Sequence, residues 1–134
     1  MILAIYVASV SGKRENNKAV LHIEVHDGQR VIHQMTDIID FRRRSESVFR
    51  AISDILDKGI DSKNTDVIIS FCDDNTYRAC FSSSMPSKES IRLRGLCGRY
   101  SSVRVKRGGL LSRYMMDKTK LLAEKGGETT GGRH

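Results

Sequence analysis

The chain has 134 residues, 39% of them hydrophobic and 29% charged, which bounds it to one globular domain with one core. No apolar run approaches the length that spans a bilayer, and the N-terminus lacks the profile of a cleaved leader, so a cytoplasmic protein with no membrane partner is expected. Net charge is +7, unevenly spread. Met1 to Tyr77 carries ten basic and twelve acidic residues, whereas Arg78 to Arg113 carries nine basic residues and only Glu89. A basic block within a folded region points to an anionic partner, most simply nucleic acid; the alternative is a solvated charged surface. Aromatics make up only 6% of the chain, which argues against single-strand binding by base stacking.

Ile2 to Val10 is almost wholly apolar and predicts a central strand. Ser11 to Lys18 is a polar turn. Ala19 to His26 alternates: Leu21, Ile23 and Val25 face one way, His22, Glu24 and His26 the other. That pattern predicts a half-buried strand with its histidines on the solvent face. Asp27-Gly28 is a strong hairpin signal, and Gln29 to Thr36 supplies the third strand. Three antiparallel strands are therefore expected first, followed by a connection over Asp37 to Arg44.

Ser45 to Lys58 predicts a helix, because Val48, Phe49, Ile52, Ile55 and Leu56 form one apolar stripe. Ser45 or Asp40 is a candidate cap, and Glu46 sits in the first turn, where the helix dipole favours a carboxylate. Val67 to Cys72 is an apolar run of strand length that ends abruptly in Asp73-Asp74-Asn75. In sheets covered on both faces, ligands gather at the carboxyl ends of strands. The plain reading of the same residues is a turn or a helix cap.

Asn75 to Phe81 predicts a short helix and Ser87 to Arg99 another, with Arg92, Arg94 and Arg99 mixed among apolar positions. Ser101 to Lys106 is a short basic strand with Val103 and Val105 inward. Leu110 to Glu124 is the last helix, and Gly126 onward reads as a flexible tail, which places the domain at 1–124 and the tail at 125–134. Cys72, Cys80 and Cys97 are odd in number and lack metal-site spacing, so reduced, partly buried thiols are expected. His22, His26, His33 and His134 also lack metal-ligand spacing.

The order of elements and several stretches resemble ribonuclease H, over residues 2–124. Ile5-Tyr6-Val7-Ala8-Ser9 resembles the family's first strand. Arg44-Ser45-Glu46-Ser47-Val48 resembles the helix start that carries its glutamate, and Val67 to Asp73 the strand that ends in its second aspartate. Val103 to Lys106 followed by Arg113 to Lys118 resembles the closing strand and the helix bearing its last aspartate. The resemblance implies a five-stranded mixed sheet flanked by helices. It implies hydrolysis of an RNA–DNA hybrid or structured RNA through two Mg²⁺ ions, with Mn²⁺ as an alternative, held by Glu46, Asp73 and Asp117, or Asp74 in place of Asp73. Phosphate contacts would come from Arg92, Arg94, Arg99, Arg104, Lys106 and Arg107.

One departure stands out. Ala8 occupies the position of the family's first aspartate, which bridges both metals, and neither Val7 nor Ser9 offers a carboxylate. The family's histidine before the last helix is also missing from Arg107 to Ser112. An inactive or impaired nuclease is therefore expected, or a non-catalytic binding or scaffold domain on the same fold. Ala8 itself fits a natural non-catalytic member, an introduced substitution or a shifted correspondence.

Overall fold

The structure is a computed structural model that describes residues 1–12, 17–59, 61–82 and 85–129. Five strands and four α-helices follow one another as β1 (Ile2–Ser11), β2 (Lys18–Asp27), β3 (Arg30–Asp40), α1 (Arg44–Asp57), β4 (Asp66–Phe71), α2 (Asp74–Phe81), α3 (Lys88–Cys97), β5 (Ser102–Arg107) and α4 (Ser112–Thr129). The sheet order is β3-β2-β1-β4-β5. β1–β2 and β2–β3 are antiparallel, while β4 lies parallel to both β1 and β5. This is the five-stranded mixed sheet expected from the sequence.

The two faces of the sheet differ in chemistry. On one face Ile5, Val7, Leu21, Ile23, Val67, Ile69 and Phe71 form a continuous core with Val48, Phe49, Ile52 and Leu56 of α1. Burying an aliphatic or aromatic side chain contributes about 1.5–3 kcal/mol, so this layer holds most of the fold together. Tyr100 closes one end, its hydroxyl donating to Leu56 O at 2.6 Å. Gly59 is required beside it, because a Cβ there would overlap the Tyr100 hydroxyl. On the opposite face α4 packs across β1 and β2.

That second face overturns one expectation. His22 and His26 are buried, and Glu24 is 0% exposed. The alternation along β2 is real, but both sides of the strand are covered: the polar side lies under α4, whose Tyr114 and Lys118 meet it with polar groups. Two boundaries and one inward position also differ from expectation. β3 continues through the expected connection to Asp40, because Asp37 to Asp40 keep pairing with β2. α4 continues past Glu124 to Thr129; of the expected tail, residues 130–134 lie outside the described residues, as does most of the turn after β1. On β5, Val103 packs inward but Val105 is 47% exposed, because β5 is an edge strand covered only in part.

Candidate functional site

The carboxyl ends of β1 and β4 and the starts of α1 and α4 are where the expected carboxylates would have to meet. Parallel pairing sets Val7 beside Phe71, and Cys72 N donates to Val7 O at 2.8 Å. Ala8 and Cys72 therefore lie side by side on the α4 face, one residue beyond the ladder. Met115 of α4 completes a small cluster with them, flanked by Tyr6 and Met116. Ala8 and Met115 are wholly buried. Burial drives the Cys72 thiol up to about 11. The neighbours of Ala8 are thus a protonated thiol and a thioether, neither of which suits a hard divalent cation, and, opposite it on β2, His22, whose two ring nitrogens are engaged by Glu24 and Thr36.

Of the three expected ligands, two are engaged elsewhere and the third is largely exposed. Asp73 caps α2: its Oδ2 accepts from Thr76 N at 2.9 Å, and its Oδ1 accepts from Ser9 N at 3.1 Å, tying β1 to the helix start. Thr76 Oγ1 donates to the same carboxylate and lies 2.5 Å from Ser9 Oγ. Capping, the plain reading of this residue, is what it does. Asp74 pairs with Arg78 at 2.8 Å and with Arg107. Glu46 takes a two-pronged contact from Arg43, at 3.2 and 2.7 Å, which holds its carboxyl below the usual range. Asp117 is largely exposed on α4, with Arg113 Nε 4.0 Å away. Among the described residues no three His, Cys, Asp or Glu side chains are grouped to hold a metal ion. The residues around Ala8 do not fit a Mg²⁺ pair.

The six basic residues divide into two sets. Arg92 pairs with Asp54 at 2.9 Å and Arg99 with Asp57 at 3.1 Å, so both fasten α3 to α1. Arg107 pairs with Asp74 and lies over the Tyr77 ring, 4.5 Å from its centroid. Arg94, Arg104 and Lys106 are exposed and make no ion pair among the described residues. Arg104 and Lys106 alternate with Val103 and Val105, in register with Ile68 and Ser70. They therefore stand on the α4 face of the sheet, beside the part that α4 leaves open. Arg113, at the start of α4, adds a third exposed cation beside that face.

The most organised polar group in the molecule is one the sequence reading placed in solvent. Glu24 Oε2 accepts from His22 Nε2 and Lys118 Nζ, each at 2.8 Å, and its Oε1 from His26 Nε2 at 2.9 Å. The Tyr114 hydroxyl lies 3.0 and 3.1 Å from the two oxygens. His22 Nδ1 and Thr36 Oγ1 are 2.8 Å apart, which extends the network to β3. Burial alone would raise the Glu24 pKa, but hydrogen bonds from Lys118, His22, His26 and Tyr114 outweigh it and bring it down to about 2. The available signal was the pairing of His-x-Glu-x-His on one strand face with Tyr114 and Lys118, one helical turn apart on the last helix.

No protein-family model matches the chain, and no curated protein matches it in sequence. Solved structures do match it in fold. The N-terminal RNase H domain of rv2228c from Mycobacterium tuberculosis, solved as a fusion with maltose-binding protein, superposes with a TM-score of 0.63 at 12% identity, covering 89% of this chain and 95% of that one. LC11-RNase H1 in complex with an RNA/DNA hybrid gives 0.61 at 12% identity over 87% and 92%. RNase H1 from the halophilic archaeon Halobacterium salinarum NRC-1 gives 0.59 at 12% identity over 89% and 94%. The chain has the ribonuclease H fold. Among the described residues no helix is long and apolar enough to cross a membrane.

Proposed function

We propose that this chain is a ribonuclease H-fold domain that binds nucleic acid, an RNA–DNA hybrid or structured RNA, without cleaving it. One observation carries the reading: Ala8, Cys72 and Met115 pack together as a closed apolar cluster at the place where the resemblance expects a metal-bridging acid. Hydrolysis by two metal ions needs hard oxygen ligands around that place, whereas the carboxylates of Glu46 and Asp73 are engaged by Arg43 and by the α2 cap and that of Asp117 lies exposed on α4. Binding asks less of the site. A-form duplexes are read through backbone and 2′-OH contacts across the minor groove. Arg104, Lys106 and Arg113, on and beside one open face, supply cationic groups for phosphates. LC11-RNase H1, which shares the fold, was solved on an RNA/DNA hybrid, and that supports the choice of partner.

The test is binding and cleavage of a labelled RNA–DNA hybrid, with Mg²⁺ and with Mn²⁺, by this chain and by Ala8→Asp. Salt-sensitive binding with no cleavage by either protein is the expected result. Cleavage restored by Ala8→Asp would instead support the second reading, a two-metal nuclease silenced at position 8. Absence of hybrid binding at low salt would remove nucleic acid as the partner.

A further inference from the structure

β3 is an edge strand of eleven residues, Arg30 to Asp40, and among the described residues no strand neighbours its outer backbone groups. Long edges of this kind are templates for another strand, and proteins commonly blunt them with charge. Here the middle, Val31 to Thr36, holds no Lys, Arg, Asp or Glu, and Val31 and Ile32 are 43% and 45% exposed. Beneath it, between the sheet and α1, runs a groove of about 610 Å³ lined by Leu3, Leu21, Val25, Ile32, Met35 and Ile55.

The charges of β3 are confined to its ends. Arg30 stands at the start, Asp37 and Asp40 toward the finish. Arg30 opposes Asp27 and Asp37 opposes Leu21 on β2. Directly opposed residues share a face. The offset from Arg30 to Asp37 is odd and would put them on opposite faces of a regular strand. The irregularity opposite Val25 and His26, where Ile32 is the extra residue, brings both to the α1 face. Both are exposed, and neither enters an ion pair among the described residues.

We propose that the β3 edge is a self-association surface, on which a second copy of this chain docks its own β3 antiparallel. The distribution of charge selects this occupant. A strand that is basic at one end, acidic at the other and uncharged between is complementary to itself when reversed. A parallel copy would set like charges together. Around a two-fold axis Arg30 of each copy comes to Asp37 of the other, on the same face of one continuous sheet. The groove then runs on across the axis, with Ile32 of each copy toward the other's Met35.

Sedimentation of the full chain tests this. The expected mass at micromolar concentration is twice 15.1 kDa. Arg30→Asp and Asp37→Arg should each weaken the dimer by about tenfold or more, since each sets like charges face to face in both symmetric pairs. An equimolar mixture of the two variants should restore dimers, because every pair across the axis is then opposite in sign. Val31→Lys, at an exposed position on the same edge, should dissociate the dimer with neither charge altered, and circular dichroism verifies that each variant is folded. A monomer at all concentrations overturns the proposal. So does a dimer indifferent to the three substitutions, or single variants that weaken it without rescue on mixing.

Discussion

The Lys118 ammonium lies 2.8 Å from Glu24 Oε2, joining residues 94 positions apart and fastening the last helix to the second strand. The carboxylate is wholly buried, while the ammonium is 32% exposed at its side chain. The two partners are therefore unequal. Lys118→Met leaves Glu24 with three other donors and should cost about 1–2 kcal/mol. Glu24→Gln strands donors from both histidines on a weaker acceptor and should cost about 3 kcal/mol. Chemical denaturation of both variants measures the difference.

The same carboxylate makes a pH prediction. Its pKa falls from 4.5 to about 2 on folding, so the folded state favours the ionised form. The resulting stability, roughly 3 kcal/mol at about 1.4 kcal/mol per unit, is fully present above the unfolded value. It is lost as pH falls from about 5 through 2. Melting curves across that window should show a steep acid loss in the native chain, and a shallower one in Glu24→Gln.

Ala8→Asp places a carboxylate beside Cys72 and Met115 and opposite His22, whose two ring nitrogens are already engaged by Glu24 and Thr36. A buried, unpaired charge is costly, so the variant should lose about 3 kcal/mol or more, or hold the new side chain protonated at neutral pH. Added Mg²⁺ should leave its melting temperature unchanged. A rise in melting temperature with Mg²⁺ would show that the acids can still assemble around a metal.

Arg104→Ala and Lys106→Ala should each weaken binding to hybrids of any sequence and reduce the slope of log K against log salt by about 0.9, as expected for one phosphate contact each. Arg92→Ala should behave differently. Its guanidinium is spent on Asp54 and Asp57, so its removal should loosen α3 on α1 and leave the salt slope unchanged.

Gly59→Ala should destabilise the fold by about 1–3 kcal/mol, since the added methyl overlaps the Tyr100 hydroxyl. In a Tyr100→Phe background that overlap is relieved, so the two substitutions should be less than additive in denaturation.

The sheet was legible because its signals are local. Period-two alternation over Leu21 to Val25, the Asp27-Gly28 turn and the apolar run before Asp73 each report one element. The polar face of β2 was not, since alternation says which residues share a side and not whether something covers it. Tyr114 and Lys118 cover it from far along the chain. The alignment of residues at the candidate site was hard to read for a similar reason. Asp73 ends the apolar run and catches the eye, but strand geometry sets Cys72, not Asp73, beside Ala8. The division of the arginines between structural pairs and open surface needed the positions of Asp54 and Asp57, which only the packing of α1 on α3 reveals.

Of these five strands β1 is made first, and it is the middle strand of the sheet, with β2 on one side and β4 on the other. Its hairpin with β2 closes within the first thirty residues, but its other edge waits for Asp66 to Phe71. During synthesis the chain therefore carries an open apolar strand edge until β4 has emerged. The slow step in its folding should be the closure of β1 on β4 across more than sixty residues, with the meander already formed.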